Sequence, residues 1–532
     1  MKTQTSQPRA ALIIALVSLP IFIGALDLTV VSAVLPHVIY DLEIPLQSGI
    51  SEAAWLVSGY LLAYSVAMTF MGRLSDLLGR RLVYLLALAI FALGSYLVAV
   101  GEAWPTHLVL RFYYMLSPLV TGRPDPQQIS LYVLIAARMI QAFGGGAMVP
   151  VGMALAGDLY PAGSRAKALG VIAAVDTSGW VVGHLYGGIL VRYMDWRMIF
   201  WLNLPICLLA FILIMVALTK LPHPNLGGKM DWLGAILISL SLTALNIGLG
   251  SEIGLGGQPG YQSNRDWVMR AAPLVMAAVV FLGLFIWRQR RAKDPLVPLS
   301  LFRQPNFTSA SLANFLVGVS LFIAIANVPL FINTLVAPTL EQGAWDSGWM
   351  LSALTIPMAI ASIPGGWLTV RWGYRWPGIV GLSGAVIGFI LMSGWQATTP
   401  YAQMIPHLIL AGIGFGLTMA PIASAAINAA PESHRGTASA LVIIFRLAGM
   451  TVGVSGMTSY GVQRMDTLSA LLLPPGADIT KVAEVGMQVA NTVIDETFRI
   501  AGVVCFLALI PIFRLIISKT ARVGAVSTPR EL

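Results

Sequence analysis

The chain has 532 residues, 57% of them hydrophobic and only 10% charged, with a formal net charge of +9. That leaves too little polar surface to coat a soluble domain, so the sequence describes an all-α polytopic membrane protein. The two cysteines, Cys207 and Cys505, both lie inside apolar runs and are expected to pack as small apolar residues, without a disulfide or a metal site.

A membrane helix needs about 20 apolar residues. On that ruler fourteen spans are expected, at 11–36, 53–71, 82–101, 131–157, 167–190, 197–218, 232–250, 268–287, 306–333, 347–370, 376–396, 403–428, 437–460 and 498–518. The first lacks a signal-peptide cleavage site and is expected to be retained. An even count puts both termini on one side. That side also holds the 72–81 loop and the 288–303 linker, and carries 21 Lys+Arg against 6 Asp+Glu; the other carries 9 against 15. The basic side is expected to be the cytoplasm, which makes the net charge an orientation signal and not a sign of nucleic acid binding. Two outer segments, 102–130 and 461–496, mix aromatic or apolar residues with charges and are expected to lie in the membrane interface or to dock an envelope adaptor protein.

Between the second and third spans stands Gly72-Arg73-Leu-Ser-Asp76-Leu-Leu-Gly79-Arg80-Arg81, read as a tight turn in which the glycines permit close approach, Asp76 caps a helix start and the arginines resist crossing. An offset of 294 residues carries Trp55 to Trp349, Gly72 to Gly366 and Gly79 to Gly373; an offset of 270 carries Gly144 to Gly414, Gly146 to Gly416, Arg165 to Arg435, Gly179 to Gly449 and Gly183 to Gly453. The chain is therefore read as two six-helix repeats, 1–218 and 306–532, joined by a linker, 219–305, with two extra spans.

These motifs carry a resemblance. The 72–81 loop resembles the loop signature between helices two and three of the major facilitator superfamily of secondary transporters. Leu26-Asp27-Leu28-Thr29-Val30-Val31 with Leu35-Pro36 is similar to the first-helix motif of that superfamily's fourteen-span drug:proton antiporter branch. Arg138-Met-Ile-Gln141-Ala-Phe-Gly144-Gly145-Gly146 resembles the fourth-helix motif, Trp196-Arg197 with Asn203 and Pro205 the start of the sixth helix, and Lys293 to Phe302 the branch's linker. The resemblance implies a major facilitator fold and proton-coupled export of hydrophobic small molecules, multidrug efflux type, across the plasma (inner) membrane by alternating access. No enzyme activity and no cofactor beyond the coupling proton are implied. Two positions depart from the pattern: His184 stands where the fifth-helix signature has proline, and Val370 stands where the first repeat has Asp76. These departures leave open a lipid or lipid-linked substrate moved between leaflets, or a facilitator without proton coupling.

Charges inside spans are expensive and mark function. Asp27 and Arg138 sit roughly 14 and 10 Å in from the outer helix ends at helical rise, and the resemblance implies that they face one another and serve proton coupling. Asp176, His184, Arg446 and Gln141 are candidates for the cavity or the interface between halves. Asp176 and Arg446 are equivalent in the repeat and are expected on different sides of that interface, unpaired. Gly179, Gly183, Gly187 and Gly188 of the fifth helix are expected to pack against the other half as a hinge or seal. Gly72, Arg73, Asp76, Gly79, Arg80 and Arg81 are expected to fix topology and to latch an inward gate. No Gly-x-x-x-x-Gly-Lys-Ser/Thr phosphate loop is present, so direct ATP drive is not expected.

Overall fold

A computed structural model describes residues 7–43, 53, 55–115, 125–161, 164–219, 229–250, 264–473 and 478–516. Among the described residues there is helix and no strand, as a lipid-embedded backbone requires when every N–H and C=O must be satisfied within its own segment. The helices are α1 (Gln7–Asp41), α2 (Trp55–Leu78), α3 (Arg80–Ala99), α4 (Trp104–Met115), α5 (Pro126–Leu159), α6 (Arg165–Tyr193), α7 (Met198–Ala217), α8 (Trp232–Gly250), α9 (Asn264–Arg291), α10 (Pro305–Phe331, continued by a π turn, Ile332–Val336), α11 (Leu340–Trp372), α12 (Arg375–Met392), α13 (Tyr401–Ala429), α14 (Arg435–Leu472), α15 (Ile479–Leu507) and α16 (Leu509–Phe513). Among the described residues twelve are long and apolar enough to cross a membrane, against the fourteen expected; α6 and α8 are not among the twelve.

The internal repeat is realised in the packing. Gly144 of α5 lies so close to Ala87 and Phe91 of α3 that a Cβ there would collide with their backbone, and Gly414 of α13 meets Gly381 and Ala385 of α12 in the same way. Each partner is displaced by the 294 residues of the sequence offset. Gly146 on Tyr64 and Gly416 on Met358 repeat the match between α5 and α2 and between α13 and α11. The first helix joins the scheme at an offset of 293: Gly179 and Gly183 rest on Phe22 and Leu26, Gly449 and Gly453 on Phe315 and Val319. Gly79 and Gly373, one turn residue in each repeat, have φ of 90° and 80°, values a side chain resists.

The chain forms two compact units. The first comprises Met1–Leu155, Ser178–Tyr261 and Pro273–Val297; the second comprises Ala156–Thr177, Gln262–Ala272 and Pro298–Leu532. In the first, Leu26, Val30, Val31, Leu56, Val98, Leu134, Trp196 and Phe200 form a core among α1, α2, α3, α5 and α7. Its helices α8 and α9 are joined by Ser241 Oγ donating to the Ala278 carbonyl at 2.9 Å, and Asp231 accepts from Arg288 at 3.1 Å and from Gln289 at 2.8 Å. The Gln289 carbonyl in turn accepts the Val297 amide at 3.0 Å, which ties the extra helices to the linker. In the second unit Phe307, Phe331, Phe389, Phe415, Trp395 and Phe498 anchor the core.

The two outer segments differ from expectation in one case. Within 102–130, α4 buries only Pro105 and Thr106 and exposes Trp104, Leu108, Phe112 and Met115, a stripe at helical spacing; residues 116–124 lie outside the described ones. Of the segment 461–496, expected as a separate outer element, residues 461–472 continue α14 and residues 479–496 begin α15, while 474–477 lie outside the described residues. Arg464 and Glu496 are paired across it: Arg464 donates twice to Glu496 at 2.8 and 2.9 Å, and the Tyr460 hydroxyl donates to the same carboxylate at 2.7 Å. Val485, Val489 and Val493 pack on Leu468 and Leu473 beneath them. At 1.5 Å per residue the 38 residues of α14 run for about 57 Å, far past a hydrocarbon core about 30 Å thick.

Candidate functional site

Asp27 lies within α1, fully buried, and Arg138 of α5 is 1% exposed. Their side chains pair: Arg138 Nη1 donates to Asp27 Oδ2, and Nη2 donates to the Asp27 backbone carbonyl at 3.1 Å. The guanidinium lies 4.2 Å from the centre of the Tyr60 ring and 5.5 Å from that of Phe200, so aromatic faces on α2 and α7 also hold the cation. Gln141, one turn after Arg138, accepts from Nη1 at 2.5 Å through its carbonyl and donates through its amide to Ser95 Oγ on α3 at 2.7 Å. Asn203 on α7 donates to Asp27 Oδ1 at 3.2 Å and to Ser95 Oγ at 3.4 Å. Asp27, Arg138, Gln141, Ser95 and Asn203 thus close a ring of side chains from four helices, each at most 3% exposed. A small cavity lined by Val31, Val38, Leu56, Val98, Leu134, Trp196 and Phe200 abuts Arg138. Beyond it, Arg197 bridges Asp41 at 3.1 Å, Glu102 at 2.5 Å and Asp195 at 2.9 Å at the ends of α1, α3 and α7.

Gly179 and Gly183 of α6 pack on α1 beside Asp27. A Cβ at Gly179 would strike Phe22, Ala25 and Leu26, and one at Gly183 would strike Leu26 and Thr29. The Thr29 hydroxyl reaches the Trp180 carbonyl at 3.1 Å across the same seam. Their lack of side chains is what brings α6 onto the α1 turn that carries the carboxylate. Among the described glycines of α6, Gly170 meets the second repeat, against Ser362 and Gly366 of α11. His184, Gly187 and Gly188 continue α6, but their surroundings lie outside the described residues.

Asp176 and Arg446 were expected apart and are found together. Arg446 Nη2 lies 3.3 Å from Asp176 Oδ2, with the side chains 11% and 6% exposed, so two positions equivalent in the repeat touch each other within the second unit. Nearby, the equivalent pair Arg165 and Arg435 is also engaged. Arg165 donates to the Asn428 side-chain carbonyl and to the Tyr160 carbonyl at 3.3 Å, and Arg435 pairs with Asp158 at 3.1 Å. The Asn428 amide donates to the Tyr374 hydroxyl at 2.7 Å. The ends of α5 and α6 are thereby fastened to α13 and α14.

At the 72–81 turn, helix runs to Leu78 and resumes at Arg80, leaving Gly79 alone between them. Asp76 does not cap α3. It sits fully buried in the last turn of α2 and pairs at 2.6 Å with Arg80, which also donates to Ser75 Oγ at 2.6 Å. Arg73 is buried nearby, and Arg81 is half-buried.

Three residues of the site were not among the candidates: Tyr60, Ser95 and Asn203. Asn203 was visible as part of the sixth-helix motif, and as an amide in the apolar run Met198–Ala217 it was the one of the three with a sequence signal.

Residues 17–454 match the profile of the Major Facilitator Superfamily. The chain is 31% identical over 458 residues to a triacylglyceride transporter of Mycobacteroides abscessus, covering 84% of this chain and 81% of that protein. It is 30% identical over 508 residues to a probable triacylglyceride transporter of Mycobacterium leprae, covering 92% of each. Among solved structures, the proton:xylose symporter XylE bound to 6-bromo-6-deoxy-D-glucose aligns with a TM-score of 0.60 at 15% identity over 95% of each chain. The human organic anion transporter MFSD10 aligns with a TM-score of 0.57 at 16% identity over 94% of this chain and 100% of its own. A profile spanning most of the chain, two repeats of packed helices and a buried ion pair at the motif positions agree, and the chain belongs to the Major Facilitator Superfamily of membrane transporters.

Proposed function

We propose that this transporter moves an apolar glycerolipid of the triacylglyceride class, exchanging it for protons bound at Asp27. The observation that carries the lipid reading is the similarity, along 84–92% of the chain, to relatives named triacylglyceride transporters. The later part of α14 and the first part of α15 support it: Met465, Leu471, Leu472, Val482 and Met487 there are 40–76% exposed. Exposed apolar side chains of this kind suit a cargo or a surface of lipid better than a small soluble solute.

Proton coupling is supported by the buried Asp27–Arg138 pair. A carboxylate held between desolvation and a guanidinium binds and releases a proton as water reaches it from one side or the other. The 72–81 turn, with its Asp76–Arg80 pair, and the Asp176–Arg446 contact would hold one end of the helices closed until that exchange occurs. In this reading α6 and α8 also cross the membrane, making fourteen spans with both termini on the basic, cytoplasmic side of the plasma membrane. The first-helix motif Leu26–Val31 favours a second reading, efflux of hydrophobic drugs by the same mechanism.

Proteoliposomes with an imposed pH gradient separate these. A fluorescent triacylglyceride should pass to acceptor vesicles at a rate that depends on the gradient and is lost in Asp27→Asn. Transport of a lipophilic cationic dye without movement of the lipid would put drug efflux first. Lipid movement indifferent to both the gradient and the substitution would remove proton coupling.

A further inference from the structure

We propose that Asn203 is a positioning residue that reports the protonation state of Asp27 to α7, through the closed ring Asp27–Arg138–Gln141–Ser95–Asn203. The inference rests on Asp27 being the proton-carrying residue.

The ring has a fixed sense of donation. The two Asp27 oxygens accept from different helices, Oδ2 from Arg138 and Oδ1 from Asn203. Ser95 Oγ accepts from both Gln141 and Asn203. Arginine stays charged and keeps its hold on Oδ2, so an incoming proton binds at Oδ1. That step forms one O–H bond on Asp27 as a hydronium ion gives up one of its own and becomes water, and it breaks no covalent bond in the protein. With the proton on the lone pair that had accepted from Asn203, that side of Oδ1 becomes a donor facing the Asn203 N–H, itself a donor. Two donors cannot share the contact, and the amide of Asn203 turns so that its carbonyl accepts from the new O–H. Its N–H then leaves Ser95, and the tie between α7 and α3 is released.

Other ionisable groups facing Asp27 are Arg138 on α5, Tyr60 on α2, Tyr186 on α6 and Cys207 on α7; α3 contributes only the neutral Ser95. Two tryptophans of or beside α7 provide an optical reporter: Trp196 stacks edge-on with Phe200, and Trp201 with Tyr96 of α3.

The test is a pH titration of intrinsic tryptophan fluorescence on the full chain in lipid nanodiscs. A transition is expected in the wild type and absent in Asp27→Asn. Asn203→Leu removes the stronger bond to the charged form and the weaker one to the protonated form, and should raise the midpoint by about one pH unit. Ser95→Ala, which does not touch Asp27, should move it by less than about half a unit. Should Asn203→Leu fail to reach the membrane, Asn203→Ser, smaller and still polar, is expected to raise the midpoint in the same direction. A purely structural role would lower thermal stability and leave the midpoint in place, and that result overturns the proposal while the coupling role of Asp27 stands. Absence of any Asp27-dependent transition in the wild type overturns the coupling reading and this proposal with it.

Discussion

The interiors of the two repeats share a backbone and differ in chemistry. The ring of the first repeat has counterparts in the second at the same offsets: Asp27 corresponds to Ser320, Ser95 to Phe389, Arg138 to Leu408 and Gln141 to Ala411, while Tyr60 corresponds to Leu354. All five counterparts are 0% exposed, and four of them are apolar members of the second core. Ser320 donates to its own helix, at the Leu316 carbonyl. The glycine contacts that set helix spacing are nevertheless matched pair for pair. Close packing of this fold is thus achieved without a charge, and an apolar core of similar volume is as stable as a buried ion pair or more so. The charges of the first repeat are therefore explained by what they do, not by what they hold together.

Substitutions that make the first repeat resemble the second should have the largest effect. Arg138→Leu alone strands the Asp27 carboxylate in a dry site and should cost about 3–5 kcal/mol. Asp27→Leu combined with Arg138→Leu should recover most of that loss and remain inactive in transport. Thermal unfolding in detergent reads both. An equal fall in the single and double variants would mean that the pair is part of the scaffold.

A smaller and symmetrical effect tests the shared backbone. Gly144→Ala and Gly414→Ala would each press a methyl group into the backbone of the facing helix, Phe91 of α3 or Ala385 of α12. Overpacking of this kind costs about 1–3 kcal/mol, and the two variants should fall together in the same thermal assay. A large difference would show that the repeats agree in sequence spacing more closely than in packing.

Much of this was legible in the sequence because it is written in local pattern. Apolar runs of span length, glycines at repeated offsets and carboxylate or guanidinium groups inside those runs each carry their own signal. Asp27 and Arg138 stood out since charge in a membrane is costly wherever it is paired. Ser95 did not, because a serine hydroxyl in an apolar helix is usually satisfied by its own backbone, as Ser65 and Ser320 are here, and Tyr60 did not, because an aromatic ring in a span reads as ordinary packing. Their role depends on which helices are neighbours. The same limit hid the Asp176–Arg446 contact: equivalence in a repeat says nothing about distance. It also misplaced Gly179 and Gly183, whose partner is α1. The end of span thirteen was misjudged for another reason. Hydropathy falls after 460, yet Arg464, Leu468 and Leu472 continue at helical spacing, and the helix runs on past the point where the apolar run ends.

The smallest expected effect concerns the two turns. Val370 occupies the place of Asp76, and Val370→Asp would restore the acidic residue to the second turn. In the first repeat the carboxylate is buried and meets Arg80 four residues on. In the second the residue four on is Tyr374, whose hydroxyl is taken by Asn428, and position 370 is 40% exposed three residues before the helix ends at Gly373. The new carboxylate would have no cation at helical spacing and would remain in contact with the surroundings of the helix end. It should therefore change stability by less than about 1 kcal/mol and leave transport rates unaltered. A stability gain, or a change in transport rate, would show that the second turn is built to use a charge it does not carry, and the difference between the repeats would then lie in one residue instead of in the whole interior.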